Sequence, residues 1–227
     1  MSESKLINGY PFISYKQKNI PEEQSIENSK QFLNAMLKRR SIRHFSEEPV
    51  AEEIIRNILA VGNSAPSGAN KQPWTFCVIQ DAQLKKQIRQ AAEKEEYLSY
   101  HGRMPAEWLE DLKPLQTDWQ KPFLETTPWL IVVCKKSYEI TAEGKKKNYY
   151  YVQESTGIAV GFLIAAIHAA GLVTLTHTPS PMNFLSKLLK RPENEKPFLL
   201  LPVGYASDEC WVPDIKKKSI EEVCAFY

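Results

Sequence analysis

The chain has 227 residues, 43% of them apolar and 25% charged, with a formal net charge of +2. That is enough chain to bury an ordinary core, with one large domain as the simplest division. The near-neutral balance gives no pointer to nucleic acid or another polyanion, and the runs Lys145-Lys146-Lys147 and Lys216-Lys217-Lys218 read as local, solvated faces.

No pair among Cys77, Cys134, Cys210 and Cys224 has metal-ligand spacing, and Cys77 and Cys134 sit in apolar runs that read as buried strands. Four reduced thiols in a cytoplasmic protein is the simplest reading. The histidines, His44, His101, His168 and His177, are scattered, so no metal site is expected. The opening MSESKLINGY lacks the hydrophobic region of a signal peptide. The longest apolar stretch, Gly157 to Ile167, is too short to cross a bilayer and predicts a buried core helix.

In chain order, residues 1–28 read as an extended arm, and Asn28 or Ser29 is placed to cap a helix running through Arg39. A second helix is predicted from Pro49 to Val61, with Ile54, Ile55, Ile58 and Leu59 as its apolar stripe. Asn63 to Gln72 is a loop, Trp74 to Gln80 a strand, and Ala82 to Tyr100 a helix. His101 to Glu125 is irregular, amphipathic and aromatic. Pro128 to Cys134 is a buried strand, and Tyr149 to Ala170 a long helix with small residues at Gly157, Ala159, Gly161, Ala165 and Ala166. Small residues on an apolar helix permit close helix contact, here across a subunit interface. Leu172 to Thr176 is a strand, Met182 to Lys190 a short helix, Phe198 to Tyr205 a strand, and the tail after Asp208 is extended. This order suggests an α+β domain with a central mixed sheet flanked by helices.

Four groups of residues carry chemistry. Arg39, Arg40, Ser41, Ile42 and Arg43 put three guanidiniums and a hydroxyl into five residues, and guanidinium forks suit phosphate oxygens. Arg39 and Arg43 share a face if the turn stays helical. Alone, the run is also what a charged helix end looks like. Pro66-Ser67-Gly68-Ala69 is a small-residue loop whose backbone N–H groups can meet an anion or a flavin edge, and alone it is equally an ordinary turn. Thr174, Thr176 and Thr178 alternate, which puts three hydroxyls on one face of an extended strand, or makes a plain polar sheet face. Glu96, Tyr100 and Lys121 offer the carboxylate, phenol and ammonium that an amino acid zwitterion requires, although each is also an ordinary surface type. Together, the arginine run and the small-residue loop suggest a flavin mononucleotide site.

These residues resemble the nitroreductase-fold flavoproteins and, within them, the iodotyrosine deiodinases. The strings RRSIRHFS, APSGANKQPWTF, EEYLSYHGRM, LVTLTHTP, LLPVGY and VPDIKKK carry the resemblance from about Arg39 to Lys218. RRSIR marks only the broad superfamily, whereas Glu96 through Lys121 looks like the deiodinase substrate lid. The resemblance implies a nitroreductase-like FMN-binding domain over 29–227, a lid at about 93–125 and an intertwined homodimer.

The resemblance also implies roles. Arg39, Arg40, Ser41, Ile42 and Arg43 would hold the FMN phosphate and ribityl end, and Ser67 and Gly68 would line the flavin from the partner subunit. The Ala69 N–H would bind the substrate phenolate, and Glu96, Tyr100 and Lys121 would clamp the zwitterion. Thr176, His177 and Thr178 would contact the isoalloxazine, with the Thr178 hydroxyl near N5 to favour one-electron transfer. Lys217 stands where the family usually has arginine, keeping the charge but losing the bidentate fork. Animal members carry a membrane anchor that this sequence lacks, which implies a soluble relative. The expected activity is reductive dehalogenation of halotyrosines to tyrosine and halide, with electrons from NAD(P)H or a separate flavin-reducing system. The alternatives are a general NAD(P)H-dependent nitro or quinone reductase, a flavin-destructase, and a non-catalytic tyrosine-binding flavoprotein.

Overall fold

A computed structural model describes residues 3–227. The chain divides into two compact units, one ending at Lys38 and the other spanning Arg39–Tyr227. The expected arm holds regular structure, and its first two residues lie outside the described ones. Strands β1 (Ser4–Ile7) and β2 (Tyr10–Ile13) pair antiparallel, with Ile7 opposite Tyr10. Asn8 and Gly9 link them at φ of 52° and 83°, the two left-handed residues that a tight hairpin turn requires. Helix α1 runs Glu22–Lys38 rather than from Asn28 or Ser29 through Arg39. Glu22 and Glu23 occupy its first turn, where carboxylates oppose the positive end of the helix dipole.

The second unit is three layers. Its sheet has the order β3 (Trp74–Ile79), β4 (Trp129–Lys136), β8 (Glu195–Gly204), β7 (Val173–Thr174), and every pairing among these strands is antiparallel. The parallel contribution is an isolated bridge between Ser41 and Thr174 at the β7 edge. β4 is apolar and buried from Trp129 to Cys134, where both its faces are covered, and only its end carries Lys135 and Lys136. Ile131 and Val133 point into a core with Ile55 and Ile58 of α2 (Glu52–Asn63) and Leu163 and Ile167 of α6 (Val152–Ala169). Leu130 and Val132 point into another with Ile88 of α3 (Ala82–Leu98), Leu124 of α5 (Phe123–Thr126) and Leu185 of α7 (Asn183–Leu188). Alternation along the strand sorts the side chains. Cys134 is buried as expected, but Cys77, on the edge strand, is only partly so.

Between α3 and α5 the chain makes a wide π-type turn, Ser99–Arg103, then α4 (Ala106–Leu112). A small hairpin of β5 (Tyr138–Ile140) and β6 (Lys146–Asn148) precedes α6, and the tail carries one helical turn, α8 (Ile220–Val223). At 18 residues and mean hydropathy 1.3, α6 is the one helix among the described residues long and apolar enough to cross a membrane, which the Gly157–Ile167 stretch alone did not indicate. It packs on α2, β4 and β7.

Two local expectations change here. Arg39 and Arg43 do not share a helical face, because the helix ends at Lys38 and the chain then extends, with the Ile42 N–H donating to the Thr174 carbonyl. The three threonines do not share one face either. β7 ends at Thr174, and Thr174 and Leu175 are both buried, so alternation breaks there and only Thr176 and Thr178 are exposed together.

Candidate functional site

A cavity of about 780 Å³ opens between α3, α4 and the segment after β7, within the range of small-molecule sites. It gathers seven of the residues predicted from sequence: Arg43, Glu96, Tyr100, Lys121, Thr176, His177 and Thr178. They come from four distant stretches of chain, and the fold alone brings them together.

The upper wall is α3 and its π-type continuation. Glu96 and Tyr100 lie one turn apart, and the wide turn keeps Tyr100 directed at the cavity, where its hydroxyl donates to the Thr117 carbonyl at 3.2 Å. Lys121 is 4% exposed. Its Nζ donates to the Asp118 carbonyl and to Thr117 Oγ1 at 3.4 Å, and it stands 3.9 Å from Glu96 Oε2 and 5.5 Å from the Tyr100 ring centre. At that separation carboxylate and ammonium face each other without a short hydrogen bond. Burial raises the Glu96 pKa against the pull of Lys121, and lowers that of Lys121 against the pull of Glu96. Burial also raises the Tyr100 pKa. Glu96 accepts no hydrogen bond among the described residues, so a half-buried carboxylate is left with its lone pairs free.

The floor is the stretch Leu175 to Thr178. The His177 N–H and C=O exchange hydrogen bonds with Leu200, which turns the Thr176 and Thr178 side chains outward and the imidazole inward. His177 meets Phe123 edge-on at 5.7 Å, and its buried Nε2 has no partner. Burial first, then the Lys121 and Arg43 charges, hold its pKa at about 3, so it is neutral at physiological pH.

Met104, Trp108 and Leu112 form an apolar wall that the sequence reading missed. Trp108 and Leu112 lie four apart on α4 and Met104 just before it, and that spacing of four is the signal that could have found them.

The remaining predicted residues do not line this cavity. Ser41 and buried Ile42 lie in the extended run beside Thr174, and Arg39 and Arg40 are partly buried. Arg40 donates to the Pro213 carbonyl, which brings the tail that carries exposed Lys217 to the arginine run. Of the seven arginines, Arg56, Arg89, Arg103 and Arg191 each pair with a glutamate. Arg39, Arg40 and Arg43 pair with none among the described residues, leaving three guanidiniums for an anion.

Ser67, Gly68 and Ala69 lie in a strained loop before β3. Ala69, Asn70 and Gln72 hold φ of 45°, 54° and 47°, a left-handed conformation that costs an L-residue roughly 1–2 kcal/mol. Ser67 Oγ accepts the Gln72 N–H at 2.9 Å, and the Gly68 N–H meets Ser155 Oγ at 3.4 Å. A Cβ on Gly68 would stand 2.9 Å from the Tyr151 ring, so the loop approaches α6 more closely than a side chain allows. The Ala69 N–H donates to no group among the described residues. Strain of this kind collects at functional sites.

The model of the Nitroreductase family matches residues 36–205, and this sets the class of the fold. The iodotyrosine deiodinase of Haliscomenobacter hydrossis is 55% identical over 216 residues, covering 95% of this chain and 97% of that protein. Iodotyrosine deiodinase 1 of Homo sapiens is 43% identical over 212 residues, covering 93% of this chain and 73% of that protein. A crystal structure of oxidized iodotyrosine deiodinase bound to FMN and 3-iodo-L-tyrosine superposes with a TM-score of 0.70 at 32% identity, over 83% of this chain and 94% of that one. The chain therefore belongs to the nitroreductase family and, within it, to the iodotyrosine deiodinases.

Proposed function

We propose that the protein is an FMN-dependent reductive dehalogenase that converts halotyrosines, 3-iodotyrosine among them, to tyrosine and halide. One observation carries the substrate class. Over the cavity, a carboxylate free of hydrogen bonds and a buried ammonium face each other at 3.9 Å with a phenol beside them. A ligand with its own ammonium and carboxylate satisfies both where neither satisfies the other. The deiodinase relatives, and the solved one bound to FMN and 3-iodo-L-tyrosine, support the same reading.

The residues present fit FMN. Three guanidiniums without acid partners suit its phosphate, and exposed threonine hydroxyls beside an unpartnered His177 Nε2 suit a heteroaromatic ring with donors and acceptors on its edge. Arg39, Arg40, Ser41, Ile42, Arg43 and Lys217 would hold the phosphate and ribityl end, and Thr176, His177 and Thr178 the ring. When bound, FMN supplies the two electrons that, with one proton, replace the carbon–halogen bond by carbon–hydrogen and release halide.

The protein's own groups bind, orient and exclude water. Glu96 takes the substrate ammonium, Lys121 its carboxylate, and Tyr100 closes beside them, so that the lid at about 93–125 orders over the ring. The free Ala69 N–H, held by its left-handed backbone, donates to the substrate phenolate as a small oxyanion site. Ser67, Gly68 and Ala69 would come from a second copy of the chain. The exposed face of α6 supports that arrangement: Ile158 and Phe162 are 43% and 39% exposed, and Gly157 and Gly161 have nothing within 4 Å of where a Cβ would stand. The electrons would come from NAD(P)H or a separate flavin-reducing system. Four free cysteines support a cytoplasmic setting.

The clamp is tested by titrating the FMN-loaded protein with 3-iodotyrosine. Glu96→Gln should weaken binding by about tenfold or more, the size of a lost charge-assisted hydrogen bond, while FMN stays bound. Equal affinity for the two proteins contradicts the clamp.

A further inference from the structure

Helix α3 holds Lys121 at two points. Glu96 faces its ammonium, and Glu93, one turn earlier, accepts its main-chain N–H on Oε1 at 2.7 Å. Glu93 is itself held. Arg89 Nε donates to the same Oε1 at 2.8 Å, and Arg89 Nη1 donates to Glu125 Oε2 at 2.6 Å. A further turn back, Lys85 Nζ donates to the carbonyls of Glu125 and Thr127 at 3.0 and 2.7 Å. Lys85, Arg89, Glu93 and Glu96 are thus four consecutive rungs on one helix face, all engaging Lys121–Thr127. Only Glu96 of the four lines the cavity.

The arrangement has a physical consequence. A lysine side chain has four rotatable bonds, so its ammonium is only as well placed as the backbone from which it starts. Fixing the Lys121 N–H fixes that start. Arg89, bridging two carboxylates, removes the freedom Glu93 would otherwise have. The bonds to Lys121 and Arg89 are charge-assisted, and the groups are partly shielded from solvent, where such bonds are strongest.

We propose that Glu93, held by Arg89, is a positioning residue for the deiodinase site. It sets Lys121 in register with Glu96, so that the two charges meet an amino acid zwitterion together. This rests on the zwitterion-clamp reading above. Glu93 does not line the cavity, and it acts through the main chain of Lys121.

The test compares two ligands by quenching of flavin fluorescence in the FMN-loaded protein: 3-iodotyrosine, and 2-iodophenol, which has the ring and halogen without the zwitterion. Glu93→Ala should weaken 3-iodotyrosine binding by about tenfold and leave 2-iodophenol within about twofold. Glu93→Gln keeps an oxygen for the Lys121 N–H and should stay within about threefold of wild type for both. Arg89→Gln leaves Glu93 in place but unfastened, and should cost about threefold for 3-iodotyrosine alone, which keeps the test sound if Glu93→Ala does not fold. Equal losses for both ligands, or wild-type affinity in Glu93→Ala or Arg89→Gln, overturn the proposal. If the wild-type protein itself does not prefer 3-iodotyrosine, the clamp fails first and the positioning role falls with it.

Discussion

His177 is 6% exposed at the floor of the cavity, with two cations near enough to oppose a third charge. Its folded pKa is depressed from 6.5 to about 3. Between those values the unfolded chain carries a proton that the native one does not, so the group's contribution is present above pH 6.5 and is lost as pH falls toward about 3. The slope is about 1.4 kcal/mol per pH unit for one proton. His177→Asn should flatten the acid limb of stability by that amount, measured by urea unfolding at fixed FMN concentration, whatever its effect at neutral pH. An unchanged slope would mean the imidazole protonates freely in the folded state. Legibility differs among these residues for a physical reason. The arginine run stands within five residues, so its chemistry is visible in the string. The neutrality of His177 depends on Leu200, Phe123, Lys121 and Arg43, which only the fold brings near, and Thr174 departs from Thr176 and Thr178 because its strand ends there.

Among the elements, α2 and α6 meet closely at Gly62 and Leu163. A Cβ on Gly62 would stand 2.4 Å from Leu163 Cδ2 and 2.6 Å from its Cγ, and Leu163 is fully buried. Replacing a helical glycine by alanine ordinarily gains about 1 kcal/mol. Here overpacking should outweigh that gain, and Gly62→Ala should lower stability by about 1–3 kcal/mol in denaturant unfolding. Leu163→Ala in the same chain should relieve the clash while leaving its own cavity cost. In the second unit α2, α3, α6, α7 and the four strands of the central sheet were legible from periodicity because each buries one or both faces. By contrast, α4 and α5 lay in what read as irregular chain, α8 in what read as an extended tail, and the short β5–β6 hairpin gave no signal. α1 was misplaced because it buries no residue in the described structure, so no apolar stripe marks its start. The Asn8-Gly9 turn signal was present but lay inside what read as a polar arm.

At the scale of the whole molecule, the proposed homodimer follows from what a single copy leaves open. The apolar, glycine-bearing face of α6 lies uncovered, and the strained Ser67–Ala69 loop stands outside the cavity that would need it. Both are accounted for if α6 packs on a second copy and each loop completes the other's site. Phe162→Glu places a charge on that face and should shift the protein to monomer in sedimentation velocity, with FMN lost in proportion. A monomeric Phe162→Glu protein that keeps FMN and 3-iodotyrosine affinity would show that each chain carries a complete site.

The most direct test of the proposed activity is a turnover measurement. FMN-loaded protein, reduced with dithionite and mixed with excess 3-iodotyrosine, should release iodide and tyrosine in equal amounts. Release of neither, together with rapid NAD(P)H-driven reduction of nitroaromatics, would contradict the dehalogenase assignment and make the protein a general flavin reductase.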